Sequence, residues 1–207
     1  MNAHAHFNQT WISEEEYLSG ELVSPIKHEY INGHVYAMAG ASKNHERISG
    51  NVFGEIRQFL KGSPCEPFGS DLKVKVGSQF FYPDMMVVCD DPSQNEYYTQ
   101  SPVLIVEVLS RRTRRTDETT KRLAYLSIPS LREYVLIEQD IVDVEVCRRS
   151  DGWVSSHYFM GDAVPLESIG LTLAVEDIYA RVVNEDVRLY FEEQAASNPP
   201  PEIPAST

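Results

Sequence analysis

Two carboxylates stand where strand sequence should be apolar. In YPDMMVV (82–88) Asp84 follows Pro83 and precedes an apolar run, and in VLIVEVL (103–109) Glu107 interrupts a series of strand formers. A carboxylate left in a dry strand core costs several kcal/mol, so each acid needs a partner, a metal ion, or water at a strand end. Asp84 alternates with Met86 and Val88, and Glu107 with Val103, Ile105 and Leu109, so neighbouring strands would bring both acids to one place at the sheet edge. Converging carboxylates repel, a divalent cation removes the repulsion, and oxygen ligands suit magnesium or manganese. A third group lies downstream, where Asp117, Lys121 and Tyr125 recur at i, i+4, i+8 and share a helix face. An ammonium there could orient a water and offset phosphate charge, or simply form an Asp-to-Lys surface pair.

The elements that must position these groups are legible from turn and periodicity signals. SEEEYL (13–18) reads as a capped helix, with Ser13 as N-cap and Glu16 three residues on. HEYINGHVYAMAG (28–40) reads as a hairpin about Asn32-Gly33, which puts Glu29, Ile31, His34, Tyr36 and Met38 on one face. Ser42 can cap a helix whose apolar positions, Ile48, Val52, Ile56, Phe59 and Leu60, form a stripe that includes His45 and leaves Glu46 and Glu55 at its sides. Gly62 ends it. DLKVKV (71–76) and QFFYPDMMVV (79–88) read as strands joined by a turn, 90–102 as a loop, and 103–110 as a central strand covered on both faces. A basic loop then leads into a helix starting near Thr116 or Asp117 and stopping before Pro129. A hairpin over 132–149, a strand at 153–159 and a short helix at 175–182 complete an α+β pattern around one mixed sheet.

A chain of 207 residues with 42% apolar content is expected to make one domain, 1–193, followed by a disordered proline-rich tail, 194–207. No apolar stretch is long enough to span a membrane and no secretory leader is evident, which points to a cytoplasmic protein. Cys65, Cys89 and Cys147 are too few and scattered for a disulfide framework or a zinc site, and are expected to be reduced and packed. The net charge of −13 argues against a general nucleic-acid coat but leaves room for a local basic patch beside a metal. SRRTRR (110–115) supplies such a patch in Arg111, Arg112, Arg114 and Arg115, unless it is only a solvated charge run. His4 and His6 read as a loose end.

YINGHVYAMAGASKNHERISGNV, YPDMMVV, LIVEVLS and TDETTKRLAYLSIPSLREYVLIEQD, in that order, resemble the Uma-two family of the PD-(D/E)XK nuclease superfamily, over about residues 12 to 180. The resemblance implies a restriction-endonuclease-like mixed sheet flanked by helices, α/β/α-like, with magnesium or manganese held by Asp84, Glu107 and the backbone carbonyl of Val108. The superfamily's usual lysine two residues after the glutamate is replaced by Leu109, and Lys121 matches the helix lysine of the Uma-two pattern. Glu29, His45, Asp117 and Tyr125 match accessory positions, and Arg111 stands where the family often has proline. The activity implied is a magnesium-dependent endodeoxyribonuclease, with Asp84, Glu107 and Lys121 catalytic and the arginines on the DNA backbone, acting by analogy as a homodimer. The missing strand lysine and the acidic surface leave two alternatives: a nuclease-like fold that binds nucleic acid or protein without cutting, or a hydrolase of small phosphodiesters.

Overall fold

The Asn32-Gly33 turn forms as its chemistry demands, with both residues at positive φ, 48° and 92°. The computed structural model describes residues 11–92, 95–111 and 113–197. The chain runs through α1 (Glu14–Glu21), β1 (His28–Ile31), β2 (His34–Ala37), α2 (Lys43–Phe59), β3 (Cys65–Gly69), β4 (Lys73–Val76), β5 (Gln79–Phe81) and β6 (Met85–Cys89). It continues through β7 (Tyr98–Thr99), β8 (Pro102–Leu109), α3 (Arg114–Thr116), a π-helical turn (Asp117–Lys121) and α4 (Arg122–Leu126). It ends with β9 (Glu133–Glu138), β10 (Val144–Arg148), β11 (Ser155–Tyr158), β12 (Ala163–Leu166), β13 (Leu171–Ala174), α5 (Val175–Ile178) and α6 (Glu185–Ser197).

The strands divide between two larger sheets and a small hairpin rather than forming one. One sheet has the order β2-β1-β5-β4-β7, the other β11-β10-β9-β8-β6-β3, and β12 pairs with β13. β8 lies between β6, antiparallel to it, and β9, parallel to it, so the six-stranded sheet is mixed. The strand expected over 79–88 is therefore two strands in different sheets. The break falls at Tyr82-Pro83-Asp84, because Pro83 has no N–H to continue a ladder and holds the residue before it extended.

β8 is the central strand: all eight of its residues are buried. One face carries Val106 and Val108 against Ile48, Val52 and Ile56 of α2, and the other carries Ile105 and Leu109 against Tyr125 of α4. Each of these buried aliphatic side chains stabilises the fold by roughly 1.5–3 kcal/mol. α2 starts where Ser42 accepts the His45 N–H, at 3.1 Å, and the chain turns after it at Gly62, φ 85°. Phe59, though part of the expected stripe, is half exposed. α1 carries the full reciprocal cap between Ser13 and Glu16. On the remaining face of the five-stranded sheet Tyr17 of α1 packs on Tyr30 and Phe80.

Several expectations are corrected. Cys65 and Cys89 are not reduced: they face each other across β3 and β6 and form a disulfide, while Cys147 is free and buried. β3 contains Pro67 and Gly69, weak strand formers tolerated at the edge of the sheet, and β7 lies inside the expected 90–102 loop. The basic loop is shorter than expected, because helix begins at Arg114. The helix at 175–182 is only the four residues of α5, and α6 runs from Glu185 to Ser197, into the stretch read as a tail. Residues 198–207, His4 and His6 lie outside the described residues. Among the described residues no helix is long and apolar enough to cross a membrane.

Candidate active site

β6 and β8 pair with Met85 opposite Val106, so Asp84, one residue before the paired segment, falls across from Glu107. The two acids interlock through the backbone. The Val108 N–H donates to Asp84 Oδ2 at 2.7 Å, and the Asp84 N–H approaches Glu107 Oε2 at 3.4 Å. His45, in the first turn of α2, brings Nε2 to 3.2 Å from Asp84 Oδ2. The N-terminal end of α2, with its partial positive charge, therefore sits beside Asp84.

The opposite side of the site is built by the π-helical turn. Lys121 Nζ lies 2.9 Å from Glu29 Oε1, 3.1 Å from Glu107 Oε1 and 3.1 Å from Asp117 Oδ1. Tyr125 OH donates to Glu107 Oε1 at 2.9 Å. Single π turns inside helices recur at functional sites, and here the Tyr134 hydroxyl holds one by donating to the Asp117 carbonyl at 3.1 Å. Glu29 is delivered by the hairpin register, opposite Tyr36, and its Oε1 also receives the Tyr82 N–H at 3.4 Å.

Four carboxylates (Glu29, Asp84, Glu107, Asp117) thus surround one ammonium and one imidazole. Burial pushes Glu107 well above the ordinary carboxylate range, Lys121 pulls it back only in part, and Asp117 is raised for the same reason. Burial alone would lower Lys121, but Glu107, Glu29 and Asp117 raise it well above a free lysine, so it stays an ammonium. Burial likewise lowers His45, and the hydrogen bond and charge of Asp84 more than reverse this. The cluster is short of positive charge.

Among the described residues no three His, Cys, Asp or Glu side chains form a ready-made metal cage. The donor chemistry nevertheless fits a hard divalent cation. Asp84 Oδ2 and Glu107 Oε1 are each held by two protein donors, Glu107 Oε2 has only the long 3.4 Å contact from the Asp84 N–H, and Asp84 Oδ1 has no hydrogen-bond partner among the described residues. In a strand the N–H and C=O of one residue leave on the same edge, so the Val108 carbonyl emerges on the side where its N–H meets Asp84. Asp84 and His45 side chains, 16% and 14% exposed, are the most accessible members of the cluster.

The structure gathers Glu29, His45, Asp84, Glu107, Val108, Asp117, Lys121 and Tyr125 at one place. The described arginines are held in different ways. Arg114 donates through its two terminal guanidinium nitrogens to Glu138, a buried acid at the end of β9. Arg111, its side chain 89% exposed, lies 3.2 Å from Asp140, Arg115 is exposed, and Arg112 lies outside the described residues. Sequence reasoning missed Glu138 and the positioning role of Tyr134. The signal for Glu138 was an acid ending the apolar run YVLI, the pattern that had drawn attention to Glu107.

In class the molecule is a mixed α+β fold of the restriction-endonuclease-like kind. It is similar to a crystal structure from Anabaena variabilis described as "a putative nuclease belonging to DUF820", with a TM-score of 0.69 and 21% identity over 83% of this chain and 99% of that one. The chain belongs to the Uma2 family, whose model, described as "Putative restriction endonuclease", matches residues 14–176. It is 38% identical over 174 residues to the uncharacterized protein slr1290 of Synechocystis sp., covering 81% of this chain and 91% of that protein. A second uncharacterized Synechocystis protein, sll1609, is 34% identical over 139 residues, 65% of this chain and 78% of that one. Restriction-endonuclease-like families generally use divalent metal ions.

Proposed function

We propose that the protein is a magnesium- or manganese-dependent nuclease hydrolysing phosphodiester bonds in DNA. One observation carries the reading: at adjoining strand ends Asp84 and Glu107 each have one carboxylate oxygen fixed by two protein donors, while the second oxygen of Glu107 has only a long 3.4 Å contact and that of Asp84 has none among the described residues. Asp84, Glu107 and the Val108 carbonyl would hold the cation. When bound, the cation supplies Lewis acidity, a water of lowered pKa and neutralisation of charge developing on phosphorus. The chain's own residues prepare that chemistry. Lys121 and Tyr125 both engage Glu107 Oε1 and so orient Oε2, while His45 and the Val108 N–H do the same for Asp84. Lys121 also places a positive charge beside Glu107 that would offset charge on the reacting phosphate, with Glu29 and Asp117 fixing its position. Arg111 and Arg115, exposed beyond β8, are the groups suited to contact a DNA backbone; Arg114, engaged by Glu138, is not.

The test is cleavage of plasmid and single-stranded DNA by purified protein in magnesium or manganese, with Asp84→Asn and Glu107→Gln as controls. Each substitution is expected to lower the rate at least about a hundredfold, the equivalent of roughly 2.7 kcal/mol. Absence of cleavage by the parent, or undiminished cleavage by either variant, refutes the reading. Leu109 and the enclosure of Lys121 by three carboxylates favour a second reading, a binding module that does not cut. Calorimetry separates the two, because the module would take up no magnesium at millimolar concentration.

A further inference from the structure

Lys73 is a buried cation of a different kind from Lys121. Its residue is 5% exposed, yet among the described residues no carboxylate lies within ion-pair distance of its amine, whereas the other buried cations are paired, Lys121 with three acids and Arg148 with Glu133. Its Nζ donates to the Tyr82 hydroxyl at 3.3 Å, and Tyr82 in turn donates to Glu21 at 3.1 Å. Glu21 is therefore reached only through Tyr82, and its oxygens are also occupied by His28, through N at 2.8 Å and Nδ1 at 3.0 Å. The amine also lies 5.1 Å from the centroid of the Tyr82 ring, but an ammonium has three donors, and a buried charge without a carboxylate partner is costly. Burial draws this amine below the usual lysine range, and Glu21 offsets that only in part.

The same lysine lines a cavity of about 460 Å³ between α1, β4 and β7, walled by Leu18, Leu22, Tyr97 and Tyr98. Leu22 and Tyr97 are more than half exposed at 57% and 53%, so apolar surface is presented to solvent beside a buried charge. Small-molecule sites have this make-up: a few hundred Å³, mostly apolar, with one or two polar groups that orient the ligand. Glu14 and Glu15 also line it. Lys75 neutralises Glu14 at 2.6 Å, and the exposed Glu15 disfavours polyanions such as a nucleic-acid backbone. The cavity lies across the sheet from the candidate active site. Lys73 and Lys75 point toward α1, and Val74 between them points to the face shared with Phe81 and Tyr125.

We propose that this cavity is a second ligand site, taking a small organic monoanion with an aliphatic body whose charged head meets Lys73. The proposal does not depend on the nuclease reading. It is tested by calorimetric titration of the full chain with octanoate and with octanamide, its neutral counterpart. Octanoate is expected to bind at least tenfold more tightly than octanamide, and Lys73→Met to abolish that preference. Leu22→Glu, at an exposed position that leaves the core intact, is expected to weaken octanoate tenfold or more and keeps the test decisive if Lys73→Met does not fold. Equal binding of acid and amide by the parent overturns the proposal. So does unchanged octanoate binding in either variant, or no binding of octanoate at all.

Discussion

Replacing Lys121 by methionine keeps an unbranched apolar stem, one atom shorter, and removes the one ammonium held by Glu29, Glu107 and Asp117 at 2.9, 3.1 and 3.1 Å. With an effective dielectric of about 20 and charges about 4 Å apart, each contact is worth roughly 4 kcal/mol gross. The sum is not the measurable effect, since the ammonium also regains several kcal/mol of hydration on leaving the site, and stranded carboxylates take up protons. Unpairing a buried charge in this way costs about 3–5 kcal/mol, out of a stability of about 5–15 kcal/mol for a domain. Urea denaturation followed by far-ultraviolet circular dichroism should show this as a midpoint lower by roughly 1–2 M, taking a slope of about 2.5 kcal/mol/M. Adding Glu29→Gln in the Lys121→Met background should recover part of the loss, with a coupling of about 0.5–3 kcal/mol. A solvated i,i+4 pair contributes only about 0.2–0.5 kcal/mol. A loss below about 1 kcal/mol would therefore mean that Lys121 reaches water and that the closed cluster does not exist.

Two further outcomes concern the scaffold. The Cys65–Cys89 bridge spans a sequence separation of 24, for which chain entropy gives a stabilisation of about 3–4 kcal/mol. Reductant, or Cys65→Ser with Cys89→Ser, should lower the melting temperature by about 10 °C, at roughly 2–4 °C per kcal/mol, and an unchanged melt would show that the bridge does not form. The phenols of Tyr17 and Tyr179 are raised, chiefly by burial, so their contribution to stability is whole below the unfolded value of about 10 and is lost as pH climbs toward the folded one. In an alkaline titration the exposed tyrosines should ionise first and these two only as the fold opens; complete tyrosinate absorbance with circular dichroism unchanged contradicts the burial argument.

What the sequence could reveal was governed by how local the determining interactions are. Ser42 with an apolar stripe defines the start of α2, and Asn32-Gly33 sets a register that carries Glu29 inward, because both follow from a few neighbouring residues. Period-two alternation likewise singled out Asp84 and Glu107. The division into two sheets was hidden, since Pro83 says that a ladder is interrupted but not which strand is joined on either side. The disulfide requires the β3–β6 register, and the capture of Arg114 by Glu138 joins residues brought together only by β8–β9 pairing and the helix that follows β8. α6 buries Val187 alone, so it had no apolar stripe to read.

The replacement of a strand lysine by Leu109 has a geometric consequence. A side chain at 109 shares the face of Glu107 but sits two residues along the strand, about 6.6 Å away, among Ile105 and Tyr125 in the core. An ammonium there would be buried amid apolar side chains. Lys121 instead approaches across the face of the sheet from the π-helical turn, and Tyr125, four residues on, reaches the same oxygen, Glu107 Oε1. Both donors therefore act on one side of the carboxylate and leave Oε2 toward Asp84. The helix origin carries a requirement of its own: the amine must be fixed from behind, and Glu29 and Asp117 do this from the hairpin and from the π turn. On the proposed nuclease reading the positive charge beside Glu107 comes from Lys121, and the arrangement that places it there is built from five groups drawn from β1, β8, the π turn and α4, each in contact with at least one of the others.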